Sequence, residues 1–264
     1  MKVFLFPTTN IILTEDDSMY AMEAVKLGLS SLGIQVVDNI GFADIGIAWG
    51  WKHPDVLKCK KDVLVLERGY IGDRHQWTSV GFNGINRMGD FIKRDMPGDR
   101  WNRHFGEMAE WGNKEDGYFL ITGQNLKDAN TSGIRLKEEY TKLYNICSKQ
   151  RPTLFRPHPG RMGVGAIPDN ATVTQGDYME ELKGAYCVVS FSSNSMVDAI
   201  LAGIPVVSLD KRSMVYDITG HTIDDIRRPE RLQWAYNIMY RQWLLEEIVD
   251  GSMLRFVLGE KYGN

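Results

Sequence analysis

Three short stretches of the chain concentrate side chains able to grip an anion. The first is VVSFSSNSM, 188–196, where Ser192, Ser193, Asn194 and Ser195 separate an apolar β-branched run from a helical segment. Hydroxyls and unpaired backbone N–H groups at a strand-to-helix junction suit a phosphate. A capping role competes: Ser195 with Asp198 three residues on fits a capping box. Capping needs one such residue, and here there are four. The second stretch is LFRPHPG, 154–160, in which prolines on both sides of His158 restrain the backbone and fix where the imidazole is presented. Arg156 and Arg161 could add charge-assisted bonds to an anionic oxygen. The third is GQN, 123–125: Gly123 admits close backbone approach, and Gln124 supplies a neutral donor and acceptor.

Each stretch follows a run that reads as a buried strand. Tyr118–Thr122 precedes GQN, Thr153–Arg156 precedes His158, and VVSF precedes the serines. In open parallel α/β sheets the carboxyl ends of the strands are where ligands bind. Ile134–Ser148 has helical periodicity, and Gly203 with Pro205 ends the helix that follows the serines. Upstream, Val3–Phe6, Ile34–Val37, Ala43–Trp49 and Asp62–Leu66 read as strands, with a helix from about Met19 to Leu32 capped by Asp17 or Ser18. Strands alternating with helices, and a restart near residue 113, predict an α/β protein of two Rossmann-like halves with parallel sheets. The expected division is an N-terminal acceptor-side domain, 1–112, and a C-terminal nucleotide-binding domain, 113–264, closed by a long helix over Pro229–Val249. Residues 67–90 show no period of either kind and read as a long functional loop.

The composition is that of an ordinary globular protein: 43% of residues are hydrophobic and 25% charged. No apolar run approaches the ~18 residues of a membrane span, so no membrane partner is expected. The N-terminus, MKVFLFPTTN, lacks the pattern of a secretory leader. Cys59, Cys147 and Cys187 are widely spaced, which fits buried small hydrophobes better than disulfides or zinc. A cytoplasmic location follows as the expectation. The formal net charge of -3 argues against a dedicated duplex binder. Local basic groups (Lys93, Arg94, Arg100 and Arg103; Arg227, Arg228 and Arg231) nevertheless leave room for phosphate contacts.

The order GQ, RPHP, serine pair, helix and GIPVV over about 118–210 resembles the C-terminal half of GT-B glycosyltransferases. The likeness is strongest to the branch that includes bacterial sialyltransferases and capsule Kdo transferases. It implies a metal-independent glycosyltransferase with no cofactor beyond a UDP- or CMP-linked sugar as co-substrate. In that branch an HP motif and a serine motif bind the donor nucleotide. Carried across, His158, Pro159, Ser192 and Ser193 would bind the donor nucleotide; the residues read above, Gly123, Gln124, Arg156, Asn194 and Ser195, complete the candidate nucleotide- and phosphate-binding set. The same half-domain occurs in sugar-nucleotide 2-epimerases. The chain is shorter than full GT-B enzymes and lacks a clear acidic acceptor motif, Asp16–Asp17–Ser18 being the nearest match.

For the catalytic base, Asp73 is the first choice and Glu67 the second, because Arg68, Arg74 and His75 nearby would keep a carboxylate ionised. Arg74, Trp77 and Asp17 are candidates for holding acceptor or sugar, and Phe82 could stack beside Trp77. The stretch VLVLERGYIGDRHQWTSVGFNGIN resembles short proteins of tailed bacteriophages, which implies an acceptor class: hydroxymethylated pyrimidines in phage DNA. A capsule or surface-glycan acceptor, an epimerase and a nucleotide-sensing binding module are the alternatives.

Overall fold

The computed structural model describes residues 1–7, 17–52, 54–90, 93–126, 131–160 and 165–263. In chain order the regular elements are β1 (Lys2–Leu5), α1 (Asp17–Ser31), β2 (Gln35–Val36), β3 (Ile45–Trp49), α2 (Pro54–Lys58), β4 (Val63–Arg68), β5 (Trp77–Phe82) and α3 (Asp99–His104). There follow β6 (Tyr118–Thr122), α4 (Leu136–Gln150), β7 (Thr153–Arg156), α5 (Tyr178–Gly184), β8 (Ala185–Ser190), α6 (Ser195–Leu201) and β9 (Val206–Ser208). The chain ends in α7 (Leu232–Met239), β10 (Gln242–Leu244), α8 (Leu245–Val249) and α9 (Ser252–Tyr262). The fold is mixed α/β with two Rossmann-like sheets.

The compact units are Met1–Arg103 with Gln233–Asn264, and His104–Leu232. The expected division placed 113–264 in one domain, but Gln233–Asn264 groups with the N-terminal residues. The reason is local: β10 pairs antiparallel with β5, and α8 packs on α1. The expected long helix over Pro229–Val249 is replaced by α7, β10 and α8. Trp243 is buried in that strand pairing, where a helix would have turned Gln242 and Trp243 away from β5.

In the first unit the sheet order is β10-β5-β4-β3-β1-β2. The strands β2, β1, β3 and β4 run parallel, while β5 is antiparallel to both β4 and β10. The sheet of this half is parallel-rich, as expected, with β5 as its antiparallel strand. The expected loop at 67–90 is in large part the β4–β5 hairpin. All six residues of β5 are buried, so it lacks the alternation that marks a half-exposed strand. Val25, Leu29, Ile47, Leu64, Leu66 and Leu254 form the centre of the core. Gly28 sits in the middle of α1 because a Cβ there would lie 2.1 Å from the Ile248 carbonyl oxygen.

The second unit has a parallel four-stranded sheet of order β7-β6-β8-β9. Its strands are runs of β-branched and aromatic residues buried by helices, as parallel sheets require. From α4, Leu136, Tyr140, Leu143, Tyr144 and Cys147 recur at helical spacing and pack on Phe119, Ile121 and Phe155. Cys147 and Cys187 are fully buried, and burial pushes both thiols up, Cys147 to about 12. Cys59 is only partly buried.

Candidate functional site

Because β6, β7 and β8 are parallel neighbours, the loops leaving their carboxyl ends emerge on one edge of the sheet. Those loops are the three stretches singled out by sequence. Gly123 and the His158 loop lie back to back: the Gly123 N–H donates to the Arg156 carbonyl at 2.7 Å. A Cβ on Gly123 would stand 3.2 Å from that oxygen and 3.3 Å from the His158 nitrogen, so glycine is what lets the loops meet. His158 Nδ1 accepts the Gly160 N–H at 3.0 Å. A neutral His158 ring therefore carries its proton on Nε2, which makes that nitrogen the donor. Pro159 is exposed and Arg161 lies outside the described residues.

Gln124 is 3% exposed and is fastened to the serine turn. Its Oε1 accepts the Ser192 N–H at 3.0 Å, and its Nε2 donates to Ser192 Oγ at 3.1 Å. The Tyr140 hydroxyl shares its single hydrogen between the Thr122 carbonyl at 3.1 Å and Gln124 Oε1 at 3.4 Å. Burial pushes that hydroxyl's pKa well up, so Tyr140 stays a neutral donor. The expectation of Gln124 as a direct donor contact gives way to a buried side chain that holds another residue.

Ser193 and Ser195 are half-buried. Ser195 Oγ donates to Thr122 Oγ1 at 2.9 Å and lies 2.7 Å from Ser193 Oγ. Having one hydrogen, already given to Thr122, Ser195 is the acceptor in the second contact. The Tyr178 hydroxyl donates to the Ser195 carbonyl at 2.6 Å, pinning the turn from α5. The first residue flanking α6 is Asn194, whose side chain makes no capping bond. Ser195 is already helical, so the expected capping box with Asp198 does not form. Ser195 Oγ faces β6 through Thr122, while Ser193 Oγ accepts the Ser195 N–H at 3.4 Å at the start of α6.

Arg156 is already engaged. Its Nη1 donates to Glu181 Oε2 and to the Gly176 carbonyl, each at 2.7 Å, and the guanidinium lies 5.3 Å from the Tyr178 ring centre. Glu181, 9% exposed, also accepts the Thr174 hydroxyl at 2.5 Å and the Gly176 N–H at 2.9 Å. Arg156 thus shapes the site through Glu181 and cannot be counted as an uncommitted phosphate ligand. Tyr140, Tyr178, Glu181 and Thr122 are the site residues that sequence reading missed. The contacts to Gln124, Ser195 and Arg156 that bring them into the site span 16 to 73 residues, beyond any local motif.

In the first unit, Glu67 follows Leu66, the last residue of β4 paired with β3, and is itself paired with Ser79 of β5. Its Oε1 lies beside Gly50, just after β3: a Cβ on Gly50 would stand 3.5 Å from it. Asp73 is exposed in the β4–β5 turn, where its Oδ1 accepts the His75 N–H at 2.9 Å. Arg74, also exposed, donates to the Gly69 carbonyl at 3.1 Å. Trp77 and Phe82 are 5% and 4% exposed and serve as packing groups, not open stacking surfaces. The Asp17 side chain lies outside the described residues, as does Asp16. A pocket of about 480 Å³ opens in this unit beside Leu64, Val80, Phe82 and Val257, apart from Glu67 and Asp73.

The basic groups expected to meet DNA phosphates are largely consumed internally. Arg94 pairs with Glu260 and Arg100 with Glu247. Arg227 pairs with Asp225, while Arg231 lies over the Trp111 ring and donates to the Ala109 carbonyl. Lys93 and Arg103 are exposed. Among the described residues no group of three His, Cys, Asp or Glu is placed to hold a metal ion, and no helix is long and apolar enough to cross a membrane.

The architecture places the chain with proteins of GT-B fold. Two solved structures resemble it over nearly their whole length. The β-Kdo 2,7-transferase of Thermosulfurimonas dismutans KpsC matches with a TM-score of 0.60 at 13% identity, covering 96% of this chain and 98% of that one. The β-Kdo 2,4-transferase of the same KpsC matches with a TM-score of 0.59 at 12% identity, covering 94% and 98%. At such identity the likeness concerns the fold. No family model and no curated relative matches the sequence.

Proposed function

We propose that the protein is a glycosyltransferase that moves a sugar from a nucleotide-sugar donor to an acceptor hydroxyl. One observation carries the reading: the His158 loop, the serine turn and the Gly123–Gln124 loop converge on the carboxyl edge of a single parallel sheet. Neutral donors dominate that edge. The His158 Nε2–H, together with the Asn194 amide and the Ser193 hydroxyl once it turns from Ser195 to the ligand, would hold the donor phosphate and stabilise its charge as the bond to the anomeric carbon breaks. Preorganisation is built in, since Gln124, Tyr178 and Thr122 already fix the serine turn. With only seven residues, α6 adds little dipole field.

For an inverting reaction the acceptor hydroxyl gives its proton to a carboxylate as it attacks the anomeric carbon, and the nucleotide leaves with the bonding pair. Glu67 is now the favoured base. It stands at the carboxyl end of a parallel strand, the usual ligand edge of such sheets.

The two Kdo transferases of like fold make a surface-glycan acceptor, and Kdo as the transferred sugar, the first combination to test. Hydroxymethylated pyrimidine in DNA is the second acceptor; the pairing of Arg94, Arg100, Arg227 and Arg231 removes much of its electrostatic support. The test is incubation of the protein with CMP-Kdo and a panel of UDP- and CMP-linked sugars, with glycan and DNA acceptors, followed by mass spectrometry. A mass gain on one acceptor, retained with a chelator present, is the expected result. His158→Ala should abolish donor binding, and Glu67→Gln should keep binding while losing turnover. Nucleotide binding without turnover would favour a sensing module, and absence of both would end the proposal.

A further inference from the structure

The geometry points to Gln124 as a positioning residue that acts through Ser192 instead of touching the donor; the proposal deepens the glycosyltransferase reading and borrows from it only its binding readout. The β6–β8 ladder ends at the pair Ile121–Val189. Beyond it the two chains part, yet the Ser192 N–H is buried and requires an acceptor. Backbone from β6 no longer reaches it. The Gln124 side-chain amide takes the place of that backbone, with its oxygen on the Ser192 N–H and its nitrogen on Ser192 Oγ.

Two bonds to one residue fix both the path of the main chain and the rotamer of the serine. Tyr140, from α4, backs the amide, its hydroxyl lying 3.4 Å from the same oxygen. The amide orientation is set by the Ser192 N–H, which can only donate and so needs the oxygen. Gln124 is too buried to face a ligand directly, at 3% exposure. A carboxylate in its place would keep the acceptor but lose the donor to Ser192 Oγ; a protonated carboxyl would restore it.

The experiment measures binding of CMP and UMP by calorimetry to wild type, Gln124→Ala, Ser192→Ala and the double variant, with amide hydrogen exchange at Ser192 in each protein that retains that amide. Each single change should weaken binding roughly tenfold, with the double variant little worse than either. Multiplying losses would show that Gln124 meets the ligand independently and would overturn the proposal. Gln124→Glu should bind more weakly than wild type near pH 8, and the ratio of the two affinities should approach one toward pH 5. A purely structural role would lower thermal stability and leave the affinity of the folded protein unchanged. Should wild type bind neither nucleotide, the donor-site reading fails, while faster Ser192 exchange in Gln124→Ala would still uphold the clamp. Unchanged exchange would refute the clamp whatever binds.

Discussion

Arg156 and Glu181 are joined by a 2.7 Å ion pair that ties the end of β7 to α5, with the Gly176 loop held between them. The Glu181 carboxylate has three partners, Arg156, Thr174 and Gly176, and little exposure, whereas Arg156 keeps about a quarter of its side-chain surface. The pair is thus neither a surface bridge nor a fully buried one.

Glu181→Ala should therefore cost about 2 kcal/mol, between the values for exposed and buried pairs. The readout is the urea midpoint at constant slope. Glu181→Gln should recover part of the loss, because an amide still accepts from Thr174 and Gly176. A loss below about 0.5 kcal/mol for the alanine variant would mean that Arg156 finds another partner.

Gly123→Ala tests the loop contact. A new methyl would sit 3.0 Å from Phe155 Cζ, 3.2 Å from the Arg156 oxygen and 3.3 Å from the His158 nitrogen. Two of those atoms are backbone, so the His158 loop must shift by tenths of an ångström. Stability should fall by about 1 kcal/mol, as for mild overpacking. Nucleotide binding should fall by more than that predicts, since His158 moves with the loop. Calorimetry beside a denaturation curve separates the two effects.

Acid stability should depend on Asp62. Asn83's amide, first of all, holds the Asp62 carboxyl below the usual carboxylate range, with help from the Tyr262 hydroxyl and Lys261 against partial desolvation. A depressed folded pKa contributes stability above the unfolded value, about 3.9, that is lost as pH falls through the folded value. Wild type should lose this part as pH drops below about 4. Asn83→Ala should start less stable at neutral pH, because Asn83 adopts a left-handed φ of 58° and accepts the Val63 N–H. Its acid slope should be shallower. Chemical denaturation across pH reads both, and an unchanged slope would remove Asn83 as the cause.

Arg100 is the strongest structural prediction in the first unit. It donates to both oxygens of Glu247, to the Met239 and Gln242 carbonyls, and lies 4.1 Å from the Trp243 ring centre. Arg100→Ala should cost about 3–5 kcal/mol. Arg100→Lys should rescue little, because an ammonium cannot reproduce the planar fork or the stacking. The thermal midpoint checks both.

How far the sequence disclosed this arrangement varies by element. The strands β1, β3, β4, β6, β7 and β8 were visible as short β-branched runs, and the three loops at the carboxyl edge of the second sheet followed from them. The strand β5 was hidden because its six residues are all buried, with glycine and serine among them. The strand β10 was hidden inside a stretch whose apolar spacing reads as helix; tertiary pairing with β5 overrode that local preference. Within the site, His158 and the serines could be read because proline and hydroxyl clusters announce themselves locally. The engagement of Arg156 by Glu181, and of Ser192 by Gln124, could not, because both depend on which strands become neighbours.

The return of Gln233–Asn264 to the first unit has a consequence for biosynthesis. While the ribosome is still making the second unit, the outer edge of β5 has no partner, and the α1 surface around Gly28 awaits Ile248. An unpaired strand edge invites association with other chains. The nascent protein must therefore carry an unfinished first lobe through the synthesis of the second, and a product halted before Gln242 would be sticky and prone to degradation.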